Sequence, residues 1–122
     1  MSNSGPDPCR VTPLVAEPLN PAAAVDMARK FKALSDPVRL RLLSTIASHA
    51  GGEACVCDIS AGLQVSQPTV SHHLKVLRDA GLLTSQRRAS WVYYAVVPEA
   101  VAALSELLAV GADSAAAVSV SP

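Results

Sequence analysis

The stretch Ser66-Gln67-Pro68-Thr69-Val70-Ser71-His72-His73-Leu74-Lys75-Val76-Leu77 restricts this chain more than any other, because both its start and its buried side can be read. Ser66 is a helix cap, and Pro68 falls in the first turn, where a backbone N–H has no helical partner to lose. At 100° per residue Val70, Leu74 and Leu77 make a narrow apolar stripe, with Pro68, Ser71, His72, Lys75 and Asp79 opposite. A short helix over about Val56 to Leu63 and a turn at Gln64-Val65 precede it, and Gly81 closes it. The expected unit is helix, short turn, helix.

From Leu82 to Val97 the pattern switches to a period near two, and Trp91, Val92, Tyr93, Tyr94 and Val96 are strand formers. A hairpin is predicted there, with its tip at Arg87 to Ser90 and its three aromatics packed on the helices. Upstream, Asn20 and Pro21 open a first helix with Met27, Phe31 and Leu34 on its stripe. Asp36-Pro37 restarts the pattern for a second helix through Leu40, Leu43 and Ile46, ended by Gly51-Gly52. Pro98 begins a last helix with Val101, Leu104 and Leu108 aligned, ending near Gly111. The fold class is mainly α (α+β): a winged helix-turn-helix of about five helices plus a two-stranded β-hairpin wing.

Three segments follow. Residues 1–19 read as a mobile arm that carries Cys9, since Pro6, Pro8, Pro13 and Pro18 interrupt it and no apolar period runs through it. Residues 20–111 are the folded domain, and 112–122 a frayed Ala/Ser/Val tail. The chain has 122 residues and half of them are apolar, enough for one core without staples. Aromatics make up only 3%, so Leu, Val and Ala must fill that core. No apolar run approaches the roughly 20 residues of a membrane span, and the first residues lack a signal peptide's basic-then-apolar order. A cytoplasmic protein without a membrane partner is expected. Three cysteines, two of them one residue apart, are no secreted disulfide framework, and reduced thiols are expected.

Formal net charge is zero, but it is distributed unevenly. Between Ile59 and Val97, Lys75, Arg78, Arg87 and Arg88 stand against Asp79 alone, while Glu99, Glu106 and Asp113 are the only charges beyond. A basic patch doubled in a dimer can attract nucleic acid even when the whole chain is neutral. On the predicted reading helix, Gln67, Thr69, Ser71 and His72 offer the donors and acceptors that base edges require, and Lys75 suits a phosphate. Arg87 and Arg88 at the wing tip would add salt-sensitive backbone contacts. His73, beside the apolar stripe, reads instead as a structural hydrogen-bonding residue.

Just ahead of that helix runs Ala54-Cys55-Val56-Cys57-Asp58. Thiolates select soft ions, and three sulfurs satisfy trivalent arsenic or antimony, whereas divalent cadmium, lead or zinc usually takes four ligands. Within a helix, i and i+2 lie about 200° apart, so one cysteine at least should be accessible. Joint ligation would then require the first turn to distort. Enzyme chemistry is not expected: a thiol reductase needs a nucleophile in an anion-cradling loop or a Cys-x-x-Cys pair, and neither is present.

From Phe31 to Val97 the chain resembles the ArsR/SmtB family of metal-responsive bacterial repressors. The resemblance rests on Phe31-Lys32-Ala33-Leu34-Ser35-Asp36-Pro37-Val38-Arg39-Leu40, Cys55-Val56-Cys57-Asp58, Ser66 through Leu77, Gly81-Leu82-Leu83 and Trp91-Val92-Tyr93-Tyr94. It implies a homodimer through the first and last helices, with Met27, Phe31, Val101, Leu104 and Leu108 as dimerisation residues, that holds double-stranded operator DNA until an inducer binds. Arsenic-responsive members are similar in the Cys-Val-Cys-Asp string but often carry another cysteine three residues later, where this chain has Ser60. Cys9 is the remaining thiol, on an arm long enough to fold back. The expected function is a repressor released by arsenite or antimonite on Cys9, Cys55 and Cys57, with no catalytic cofactor. Cadmium or lead as inducer, or a thiol redox sensor, are the alternatives. The family's zinc site on the last helix finds no histidine between Pro98 and Pro122.

Overall fold

The structure, a computed structural model, describes residues 18–109. Helix α1 (Pro21–Leu34) starts as expected: Asn20 Oδ1 accepts from the Ala23 N–H at 2.8 Å, and Pro21 occupies the first turn. Helix α2 (Pro37–Ala47) is capped by Asp36, whose carboxylate accepts from the N–H groups of Val38 and Arg39 at 3.0 and 3.1 Å. Those bonds, the one from Arg39 first, hold the Asp36 carboxyl below the usual carboxylate range. The stripe of α2 differs from expectation. Leu42 and Ile46 are fully buried while Leu40 is 51% exposed. Leu42 lies about 40° from Ile46 around the helix and Leu40 about 120°, so the stripe is centred one residue away from the predicted triplet.

A single 3₁₀ turn (Ala50–Gly52) follows, in which Gly51 and Gly52 take φ of 74° and 70°. These left-handed conformations suit glycine and turn the chain into an unexpected strand, β1 (Glu53–Cys55). Helix α3 (Val56–Ala61) and helix α4 (Gln67–Asp79) form the helix-turn-helix. Strands β2 (Leu83–Arg88) and β3 (Trp91–Val96) form the hairpin, and helix α5 (Pro98–Leu108) ends the described chain. The sheet has three strands in the order β1-β3-β2, all antiparallel, with Cys55 opposite Tyr93 and Tyr93 opposite Gln86. The predicted two-stranded wing is therefore extended on its inner edge, where β3 would otherwise present unpaired backbone groups.

The hairpin turn is also tighter than predicted. Arg87 and Arg88 pair with Val92 and Trp91, leaving Ala89 and Ser90 as the loop, with Ala89 at a left-handed φ of 58°. The core joins Ala33 of α1, Leu42 and Ile46 of α2, Ile59 of α3, Val70, Leu74 and Leu77 of α4, Leu82, Leu83 of β2 and Leu104 of α5. The stripe predicted for α4 is the buried one. Leu104 is 5% exposed within its own chain, which removes it from the expected dimerisation set. No helix among the described residues is long and apolar enough to cross a membrane.

Arg39 fastens three helices together. Its Nε donates to the Ala33 carbonyl at 2.6 Å, one of the last-turn carbonyls of α1 that the helix leaves unpaired. One terminal nitrogen donates at 3.0 Å to Nδ1 of His73 on α4. Arginine has no acceptor, so the ring proton of His73 sits on Nε2. His73 is thus the structural residue its angular position suggested.

A reading helix and a thiol pair in one cleft

Helix α4 begins with Ser66 Oγ accepting from the Thr69 N–H at 3.3 Å and bonding to Thr69 Oγ1 at 2.9 Å. Its outer face carries Gln67, Thr69, Ser71, His72 and Lys75, all exposed. Lys75 bonds Asp79 one turn on at 2.9 Å, which lowers the Asp79 carboxyl from its ordinary value, helped by Arg78. Both partners are more than half exposed, so a DNA phosphate can replace the carboxylate at little cost.

The two wing arginines part company. Arg87 is exposed at the end of β2. Arg88 grips Glu53 of β1 with two bonds, at 3.1 and 2.9 Å, reaches Gln86 Oε1, and stacks 4.6 Å above the Tyr93 ring. The pair pulls the Glu53 carboxyl down and raises Arg88. Arg88 therefore clamps the wing to β1 rather than reaching outward from a tip as expected, because a partner strand invisible in the sequence pattern lies within its reach.

The cysteines also depart from expectation. Cys55 ends β1 in an extended conformation (φ −77°, ψ 148°) and is the cap of α3, so helical spacing does not govern the pair. Its Sγ, buried, accepts from the Cys57 N–H at 3.4 Å and lies 2.6 Å from the exposed Cys57 Sγ. The two sulfurs meet without any distortion of the first turn. The hydrogen bond to Cys55, and next to it desolvation, push the Cys57 thiol above its ordinary value. Among the described residues no group of three His, Cys, Asp or Glu side chains could hold a metal ion; Cys9 lies outside them.

A cleft of about 370 Å³ opens beside the sulfurs. Cys55, Val56 and Cys57 form one wall, Gln67 and Ser71 of α4 a second, and Ser90, Trp91, Val92 and Tyr94 a third. Trp91 is 53% exposed, so of the three hairpin aromatics it is the one that does not pack inward as predicted. It faces the thiols instead, a placement that no sequence spacing could have signalled. On the far side of the domain Leu108 of α5 and Val25 of α1 are each 64% exposed, whereas Met27, Phe31 and Val101 are half-buried against their own core. Val25 carried no sequence signal because it lies off the stripe that packs α1.

A helix-turn-helix with an exposed polar reading face and a basic wing defines a winged-helix DNA-binding transcriptional regulator, not an enzyme. A model of the bacterial regulatory protein arsR family matches residues 36–85, from the cap of α2 into β2. A cadmium resistance transcriptional regulatory protein of Staphylococcus aureus is 34% identical over 107 residues, covering 82% of this chain and 87% of that one. The chain belongs to the ArsR family. An arsenic resistance transcriptional regulator of Pseudomonas putida is 46% identical over 69 residues, which are 57% of this chain and about half (52%) of that protein's length. The crystal structure of a possible transcriptional regulatory protein from Mycobacterium bovis is 33% identical and superposes with a TM-score of 0.61 over 76% of this chain and 97% of that one.

Proposed function

We propose that this protein is a homodimeric, metal-responsive repressor that holds operator DNA through α4 and the wing and releases it when trivalent arsenic or antimony is captured by Cys55, Cys57 and Cys9. Gln67, Thr69, Ser71 and His72 read base edges, and Lys75 and Arg87 bind phosphates. Helices α1 and α5 carry the dimer contact, with Val25 and Leu108 joining Met27, Phe31 and Val101.

The observation that carries this reading is the shared cleft, since Gln67 and Ser71 face both the thiol pair and the DNA-reading side. Two sulfurs bound to one ion at about 2.3 Å each stand more than about 3 Å apart. Capture must therefore spread the pair from 2.6 Å, moving the start of α3 against the start of α4. Coupling of this kind typically amounts to about 1–3 kcal/mol, and linkage makes DNA weaken inducer binding equally. The test is an arsenite titration with and without operator duplex, followed by fluorescence anisotropy. Equal arsenite affinities in the two states would refute the coupling. Sulfur contact also favours thiol oxidation as a second reading; release by peroxide but not by arsenite would select it, and release by cadmium alone would select a four-ligand site.

A further inference from the structure

The thiol pair supplies two sulfurs already in contact, and the cleft against them has a wall of carbon. Val56, Trp91, Val92 and Tyr94 line it, and its 370 Å³ or so is ample, since an apolar cavity of about 150 Å³ takes benzene. Trivalent arsenic forms three bonds. Inorganic arsenite needs a third sulfur, but an arsenic that already carries one carbon substituent needs only two. We propose, building on the reading of the pair as an inducer trap, that Cys55 and Cys57 alone capture monoorganyl arsenic(III) species, with the organic group seated against Trp91.

The exchange is balanced without an oxidant. An organoarsonous acid, R–As(OH)₂, meets two thiols; each S–H proton leaves with one hydroxide as water, two As–O bonds break and two As–S bonds form. Arsenic stays trivalent and keeps its carbon. Cys57 is exposed and makes the first bond, and buried Cys55, in contact with it, closes the ring. Ring size then sets preference: an aryl group stacks on the indole, a methyl group does not, and such aromatic contacts are worth about two- to tenfold in affinity.

Operator release by the full chain, followed by anisotropy with arsenite, methylarsonous acid and phenylarsonous acid, tests this in wild type, Cys9→Ser, Trp91→Ala and Trp91→Phe. The Cys9→Ser variant should lose sensitivity to arsenite while its response to phenylarsonous acid stays nearly unchanged. Trp91→Ala should reduce the phenyl-over-methyl preference by about two- to tenfold, and Trp91→Phe should restore most of it. Trp91 is the chain's single tryptophan, so its emission should change when phenylarsonous acid binds Cys9→Ser. Equal loss of both responses in Cys9→Ser, or an unchanged preference in Trp91→Ala, overturns the proposal. A wild type that ignores arsenite yet answers phenylarsonous acid removes inorganic arsenic as inducer and leaves the organic subsite standing; one that ignores both removes both.

Discussion

Replacing Arg39 by Met keeps most of the side chain's bulk and deletes the two bonds that join α1, α2 and α4. The Ala33 carbonyl, at the otherwise unpaired end of α1, and His73 Nδ1 both lose their donor. Hydrogen bonds from a charged donor contribute about 1.5–3 kcal/mol each, and partial exposure favours the low end. The loss is therefore about 3 kcal/mol for the two. In a domain of this size 1 kcal/mol moves the melting temperature by about 4–8 °C, so Arg39→Met should melt at least about 12 °C below wild type. Circular dichroism at one fixed protein concentration reads this, fixed because a dimer's melting point depends on concentration. Arg39→Lys should recover only part of the loss, since an ammonium keeps a positive charge near the end of α1 but cannot fork to both acceptors. A melting point for Arg39→Met within about 2 °C of wild type would refute Arg39 as the fastener of the reading helix.

Other perturbations separate surface from core and wing from clamp. Arg87→Ala should weaken binding to all DNA sequences alike and reduce the salt slope of log K by about 0.9 per lost phosphate contact, whereas Arg88→Ala should change that slope little; equal slopes in the two variants would contradict the clamp. Cys55→Ala removes the hydrogen bond that leads the causes raising the Cys57 thiol, so the pH profile for alkylation of Cys57 should move to lower pH, and an unmoved profile would contradict that cause. Acid should cost stability through Asp36, whose depressed folded-state value makes its contribution full above the model value of 3.8 and lost as pH falls through the lower folded value; Asp36→Asn should flatten stability over that acid range, and an unchanged pH dependence would contradict it. Val25→Asp with Leu108→Asp should yield folded monomers by sedimentation, while Leu104→Asp should prevent folding, because only the first two positions are exposed.

Much of this architecture was legible because it is local. Asn20, Asp36 and Ser66 cap their helices through bonds to N–H groups two or three residues away, and such contacts depend on neighbouring residues alone. The buried stripe of α4 and the alternation of the hairpin are likewise periods that a chain carries with it. The cysteines were visible as a pair, but their geometry was misjudged. Helical spacing sets i and i+2 apart, and Cys55 is not helical: it ends a strand that exists only because β3 offers it backbone partners. A three-residue strand has too few positions to show a period.

The sequence alone thus determined the helices, their caps, the reading face and the presence of two adjacent thiols, since each follows from bonds or periods spanning a few residues. Tertiary structure decided what those parts can do to one another. Pairing of β1 with β3 put Cys55 against Cys57 and Arg88 against Glu53, and packing of α4 beside the hairpin turned Gln67, Ser71 and Trp91 toward the sulfurs. The physical reason is range: hydrogen bonds between strands and the filling of a common core join residues tens of positions apart, and no local pattern records which distant residue will complete a site.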